Sequence, residues 1–484
     1  MSKLYIFGIG GTGARVLKSL TMLLASGVEC GVDTIVPIII DRDTSNKDLS
    51  RTQLSIEDYI TVNKIAETNG ENKFFKTKIE LLNNELCLAL KDKTQKFVDF
   101  IGKDTMTKEN QALVEMLFSE ETLGMDMTAG FQGNPNIGSV VLNQFDDSDI
   151  FKAFAEDFSS SDNKIFIISS IFGGTGASGF PLLRKVLHTI NQKDAQGNEL
   201  SNWGVVNKAH IGAISVLPYF QVKSATSDSL VDSDTFIDKA KTALSYYKQE
   251  DKKLDTLYYI ADKRTSTYDH HKGGDAQKNN AHFVELAAAL SILDFIDPKK
   301  AAENIHRDKA GNIERTTYKE FGISADVPEI NFVTLEDETK KMLVNQLSRF
   351  LLFRNYMQFV YDKECKYQPY ALKYKFSKQF RNNDFIKKME SVQAAFFTWL
   401  EELEQQNRKF SPFNLTTNQA VDFVKDEINV VASRVRFSDW ADIDNELNRQ
   451  SSKINLRDLE KLEQEKHFME LFYRATSTLL NFKN

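Results

Sequence analysis

Leu4-Tyr5-Ile6-Phe7-Gly8-Ile9-Gly10-Gly11-Thr12-Gly13 is a short apolar strand that runs straight into a glycine turn. Val16, Leu17, Leu20, Leu23 and Leu24 follow at helical spacing. A second apolar run, Thr34 to Ile40, stops at Asp41-Arg42-Asp43. Strand, glycine turn, helix, strand and acid make the opening unit of a doubly wound, mostly parallel sheet. Such a turn suits an anion, because glycine lets the backbone approach and the helix start supplies free N–H groups and a positive dipole. It is not a Walker A loop. Ala14-Arg15 stands where that loop needs Lys-Ser/Thr.

Two more glycine segments lie downstream. Ala129-Gly130-Phe131-Gln132-Gly133-Asn134-Pro135-Asn136-Ile137-Gly138 has the composition of a loop. Ile165-Phe166-Ile167-Ile168 reads as a strand buried on both faces. It leads into Gly173-Gly174-Thr175-Gly176-Ala177-Ser178-Gly179, with Pro181 expected in the first turn of the next helix. His210–Leu217 and Leu254–Ile260 are two further expected parallel strands. Eleven of the 23 glycines fall in these three loops, whereas the last 162 residues contain none. Several glycine loops at one sheet edge can encircle a polyphosphate without a lysine, using backbone N–H nests, a helix dipole and Mg²⁺.

From about residue 279 the texture changes. Asn280 to Ile296 is nearly all apolar, the pattern of a helix buried on most sides. Residues 298–337 form an intermediate segment, within which 315–335 are expected to give short strands. Residues 338–484 read as a helical C-terminal domain. One stripe there is Met389, Val392, Phe396, Trp399/Leu400 and Leu403. A second is Val421, Val424, Ile428, Val431 and Val435, and a third is Leu456, Leu459, Phe468, Phe472 and Leu479. Asp384 and Thr416/Thr417 are expected caps. The nucleotide-binding part is thus 1–278, and the central helix 279–297.

The glycine motifs resemble those of the tubulin/FtsZ GTPases. Phe172-Gly173-Gly174-Thr175-Gly176-Ala177-Ser178 is similar to the family's GGGTG[ST]G loop, departing at Phe172, Ala177 and Ser178. Gly8, Gly10, Gly11 and Gly13 match the glycines after the family's first strand, while Thr12 and Arg15 depart. The acidic Asp41-Arg42-Asp43 and the loop at 129–138 stand in family order. The resemblance covers residues 1 to about 300.

It implies GTP or GDP with Mg²⁺ as cofactors. The implied phosphate-binding residues are Gly10, Gly11, Thr12, Gly13, Gly173, Gly174, Thr175 and Gly176, with Gly130 and Asn134 sensing the γ-phosphate. Asp43 would reach Mg²⁺ through water, and Arg15 would face a phosphate or pair with Asp43. Asn280 or His282, with Asp262, would read the base. The family completes slow hydrolysis between subunits with an NxDxxD-like loop, which is replaced here by Asp297-Pro298-Lys299-Lys300. Asp308, Glu336 and Asp337 are the acidic stand-ins for the catalytic step. A homo-oligomer bridged by nucleotide is the implied partner, with a further protein docking on the helical domain.

Asp41-Arg42-Asp43, Ser45-Asn46, Arg51 and Gln53 also resemble, at different spacing, the DxDxxxxSNxxRQ run of ubiquitin-activating-like adenylating enzymes. A third expectation is a nucleotide-free interaction scaffold that keeps the fold. The net charge of -7 argues against nucleic acid as a partner. No run reaches the roughly 18 apolar residues of a membrane span, and the start lacks a signal-peptide core. Three scattered cysteines, Cys30, Cys87 and Cys365, suit a reducing cytoplasm and no zinc module. His270-His271 is read as an exposed polar loop.

Overall fold

The structure, a computed structural model, describes residues 2–66, 71–88, 90, 94–128, 130–189, 202–223, 235–249, 254–269, 274, 277–321, 327–420, 423, 432–435, 437–453 and 463–482. His270, His271, Ala129, Val421, Val424, Ile428, Val431, Leu456 and Leu459 lie outside the described residues.

Seven parallel strands form the central sheet. They are β1 (Lys3–Ile9), β2 (Thr34–Ile40), β3 (Lys78–Ile79), β4 (Lys164–Ser170), β5 (His210–Val216), β7 (Thr256–Ile260) and β9 (Thr317–Phe321). Two strands outside it, β6 (Phe220–Lys223) and β8 (Ser266–Asp269), pair with each other in parallel. The sheet order is β3-β2-β1-β4-β5-β7-β9, so the winding reverses between β1 and β4. Leu4 faces Ile35 on one side and Lys164 on the other. A crevice opens at such a reversal beyond the carboxyl ends of the two strands, because their following connections run to opposite faces.

Alternation along β1 divides the core. Leu4 and Ile6 join an apolar cluster on one face, and Tyr5, Phe7 and Ile9 a second cluster on the other. The first face is covered by α1 (Gly10–Ala25), α2 (Lys47–Ala66) and α6 (Phe283–Ile296). The second is covered by α3 (Pro135–Val141), α4 (Gly174–Thr189) and much of α5 (Phe236–Gln249). In α6 every residue except Asp294 is buried, as its nearly all-apolar sequence requires. The C-terminal region is mostly helical, with α7 (Asp337–Tyr356), α8 (Asp384–Glu404), α9 (Trp440–Lys453) and α10 (Gln464–Leu479). Helix α8 packs directly on α1 and α2.

The fold class is the expected one, an α/β doubly wound sheet followed by a helical region, but several details differ. Gly10, Gly11 and Gly13 are the first turn of α1, and Gly174 and Gly176 begin α4, so these glycines start helices. Pro181 therefore sits deep inside α4 and not in its first turn. A proline there cannot donate to the carbonyl four residues back. Tyr247 Oη donates to that Ala177 oxygen instead, at 3.0 Å.

Of the expected strands at 315–335, Thr317–Phe321 extends the main sheet, and Glu329–Ile330 pairs with Lys409–Phe410. Val435, read as part of a helical stripe, belongs to a strand, Ala432–Val435, that pairs with Leu480–Phe482. The cap of α8 is Asn383, not Asp384, and accepts from the Ile386 N–H at 2.9 Å.

Candidate functional site

The crevice is built where α1 and α4 begin. Each helix leaves its strand so tightly that a side chain is excluded. A Cβ on Gly13 would stand 2.4 Å from the Gly8 carbonyl carbon, and one on Gly176 would stand 2.3 Å from the Ser170 oxygen. Gly10 takes φ +70°, and a Cβ there would lie 3.3 Å from the Thr175 Cβ, so the two helix starts nearly touch. Ile9, at the cap position of α1, offers no side-chain acceptor to the first turn. The free N–H groups of that turn are left for an outside acceptor.

The cleft is lined on this floor by Gly10, Gly11, Thr12, Gly173, Gly174, Thr175 and Gly176. The third glycine segment forms a wall. Gly130, Phe131, Gln132 and Gly133 line it, and a Cβ on Gly174 would meet Phe131 Cβ at 3.0 Å. Asn134 caps α3 beside that contact, and its Nδ2 is buried without a hydrogen-bond partner. Gly13 supports the floor from behind and does not line the cleft.

The carboxyl end of β2 supplies Asp41 and Asp43, both buried and both in the lining. Asp43 Oδ1 accepts from Ser45 N–H at 3.1 Å and Ser45 Oγ at 2.8 Å, and its Oδ2 accepts from Gly274 N–H at 2.8 Å. Burial, aided by the charge of Asp43, pushes the Asp41 carboxyl up to about 7. The opposite end of the cleft is aromatic: Phe220 and Tyr268 stand 5.1 Å apart, with Phe172 and Phe236 beside them. The amides of Gln277 and Asn279 close it.

Arg15 is the one cation among the described residues that line the cleft, and it is committed elsewhere. Its Nε meets Glu285 Oε1 at 2.5 Å, its Nη1 meets Asp48 Oδ2 at 2.9 Å, and its Nη2 donates to Tyr219 Oη at 3.0 Å. Burial by itself would lower the guanidinium's pKa, but Tyr219, Glu285 and Asp48 outweigh it and hold it raised. The expected pairing of Arg15 with Asp43 is therefore replaced by a buried network beneath the cleft. That network extends outward. Asp48 Oδ1 accepts from the Asn279 N–H at 3.1 Å, and Arg51 pairs with Glu402 of α8.

Other expected residues are placed away from the cleft. Asn280 turns its amide to Gln405 at 3.2 Å, and Asp262 pairs with Arg408 at 2.7 Å beside a separate apolar cavity. His282 caps α6, its Nδ1 accepting from Val284 N–H at 3.1 Å, and burial pushes its pKa down to about 4. Asp308 folds its own turn by accepting from Asn312 and Ala310. Glu336 and Asp337 begin α7, and Glu336 lines that apolar cavity. None of these acids lines the cleft of its own chain. Arg51 and Gln53 of the adenylating-enzyme pattern also point away, to Glu402 and Glu57.

Sequence reading missed Phe220, Tyr268, Gln277 and Asn279, and quoted Asp41 and Asn46 without making either a site residue of the nucleotide cleft. Only Gln277 and Asn279 left a signal, a pair of amides within three residues of Asn280.

No family model matches the chain, and no curated protein matches it. Among solved structures, CetZ from Methanosaeta thermophila strain DSM 6194 is similar at 14% identity and a TM-score of 0.25. The likeness covers 54% of this chain and 46% of that one, less than half its length. At that level it carries no weight for function. Among the described residues no helix is long and apolar enough to cross a membrane.

Proposed function

We propose that this chain is a nucleotide-binding protein of the tubulin/FtsZ-like kind, holding GTP or GDP with Mg²⁺ in the cleft at the strand-order reversal. One observation carries the reading: two glycine-opened helices converge there, and the one cation among the described lining residues is neutralised by Asp48 and Glu285. A site that binds polyphosphate without a free cation must rely on backbone N–H groups and a metal. The residues fit that need. The first turns of α1 and α4 supply donors, and Asp41 and Asp43 supply the hard oxygen ligands that Mg²⁺ takes, directly or through water.

The backbone of Asn134, whose side-chain amide is unpartnered, lies beside the α4 start, and a Cβ on Gly130 would lie 3.9 Å from the Asp43 Cβ; from there both would respond to the outermost phosphate. Phe220 and Tyr268 offer faces for the base, and Gln277 and Asn279 offer amide donors and acceptors for its edge. Hydrolysis would draw its acid from a neighbouring subunit, since Asp308, Glu336 and Asp337 stand outside their own cleft. In this reading the nucleotide governs assembly or a switch.

The test is to denature the purified protein and identify the released nucleotide by chromatography. GTP or GDP supports the proposal. ATP or AMP would replace it with the adenylating reading, and a nucleotide-free protein that also fails to take up GTP would leave only a scaffold.

A further inference from the structure

We propose that the groove between α4 and α5 binds a small amphiphilic anion, an apolar body carrying one acidic group, and that its occupancy loosens the glycine wall of the neighbouring cleft. The groove encloses about 610 Å³, within the range of small-molecule sites. Ile171 and Phe172, both buried, line its base. Pro181 and Leu182 of α4 and Ala243 and Tyr246 of α5 give it apolar sides. The bond from Tyr247 Oη to the Ala177 oxygen, at 3.0 Å, ties the two helices together. The groove is therefore built into the fold before any ligand arrives.

Its polar groups set the sign of the ligand. Among the described residues that line it, Lys185 and Lys239 are the cations and Asp238 is the carboxylate. Asp238 pairs with Lys241 at 3.4 Å, which leaves the balance of the groove positive. One acidic head can meet Lys185 and Lys239 while the body lies on the apolar sides. Helix α4 lines the groove from Ala177 to Lys185, about 12 Å, which would seat only about two turns of a partner helix. A small ligand is the occupant that fits.

The groove and the nucleotide cleft share a wall, because Phe172 and Gly173 line both. Lys239 also reaches the cleft's glycine segment, its Nζ donating to the Gly133 oxygen at 3.1 Å. That segment lies against the α4 start, where a Cβ on Gly174 would stand 3.1 Å from the Gly133 nitrogen. An acidic head that draws the Lys239 ammonium away removes this bond and loosens the segment. Such coupling is reciprocal, so a nucleotide that tightens the segment would weaken the ligand. As regulation of the cleft the proposal rests on the nucleotide reading; as a binding site it does not.

Calorimetric titration of the full-length protein, stripped of nucleotide, with decanoate below its micelle concentration tests the site. One saturable site is expected, and decanol, which lacks the charge, should bind roughly tenfold more weakly. Lys185→Glu, at an exposed position, should weaken decanoate by a similar factor, and Ala243→Trp should fill the groove and abolish binding. Should the tryptophan variant not fold, Lys185→Glu decides alone. Hydrogen exchange of residues 130–134 reads the coupling without nucleotide. Decanoate should speed it, and Lys239→Gln should speed it in the free protein and leave decanoate without further effect. The absence of saturable binding overturns the proposal, as does decanol that binds as tightly as decanoate. Unchanged binding in either groove variant would put decanoate in the apolar cavity beside Asp262 and equally overturn it. So would exchange that decanoate leaves unaltered. None of these readouts depends on whether the protein takes up GTP, so this proposal and the nucleotide reading fail separately.

Discussion

Trp399 Nε1–H donates to Ser19 Oγ at 3.1 Å, both groups fully buried and 380 residues apart in the chain. The bond ties α8 of the helical region to the back of α1, the helix whose front forms the floor of the cleft. Removing the donor leaves the Ser19 hydroxyl buried without it. Trp399→Phe should therefore lower stability by about 1–3 kcal/mol. A double-mutant cycle with Ser19→Ala, read by denaturant unfolding, should show coupling of roughly 0.5–3 kcal/mol. Zero coupling would mean that this hydrogen bond adds nothing to the joint between the two regions.

Glycines in the same motif should behave differently. A Cβ at Gly11 would meet nothing closer than Arg15 Nη1 at 3.5 Å, whereas one at Gly13 would meet backbone at 2.4 Å. Gly11→Ala should keep the wild-type melting temperature but lose nucleotide, since the added methyl occupies the cleft floor. Gly13→Ala should destabilise by about 1–3 kcal/mol through forced backbone movement. Retained nucleotide in Gly11→Ala would show that phosphate does not lie on this turn.

Arg15 holds Glu285 and Asp48 neutralised in the interior. Arg15→Ala leaves both carboxylates buried without their partner, a loss of about 3–5 kcal/mol for a broken buried pair. Arg15→Lys should not restore it, because a single ammonium lacks the planar fork that reaches Glu285, Asp48 and Tyr219 together. Thermal unfolding of the two variants checks this. A lysine variant as stable as wild type would show that charge alone suffices.

Asp41 makes stability depend on pH. Its folded-state pKa is raised from 3.8 to about 7, so the folded protein holds a proton that the unfolded chain releases. That contribution is complete below 3.8 and is lost as pH rises through about 7. Asp41→Asn should lack this decline, so the difference between the wild-type and variant melting temperatures should change with pH across that window. Divalent-cation affinity should move the opposite way, rising through about pH 7 as the carboxylate forms, and the asparagine variant should lose that dependence. Parallel wild-type and variant pH profiles would refute the assignment.

The residues by themselves determined the strands β1, β2, β4, β5 and β7 and the need for glycine after β1 and β4. A short unbroken apolar run is a property of neighbouring residues, and Leu4 to Phe7 or Ile165 to Ile168 carry it without help from the rest of the chain. The need for glycine is equally local, since Gly13 meets Gly8 five positions back and Gly176 meets Ser170 six positions back. The tertiary structure alone decided what faces the cleft. Arg15 finds Glu285 270 residues away, and Arg51 finds Glu402 351 residues away. Pairs so distant leave no periodic trace. Asn279 and Asn280 are adjacent and chemically identical, yet only the first reaches the cleft, while the second turns to Gln405. Which way a loop side chain points is set by what packs behind it, here Glu402 and Gln406 of the C-terminal region holding the backbone of Ala281.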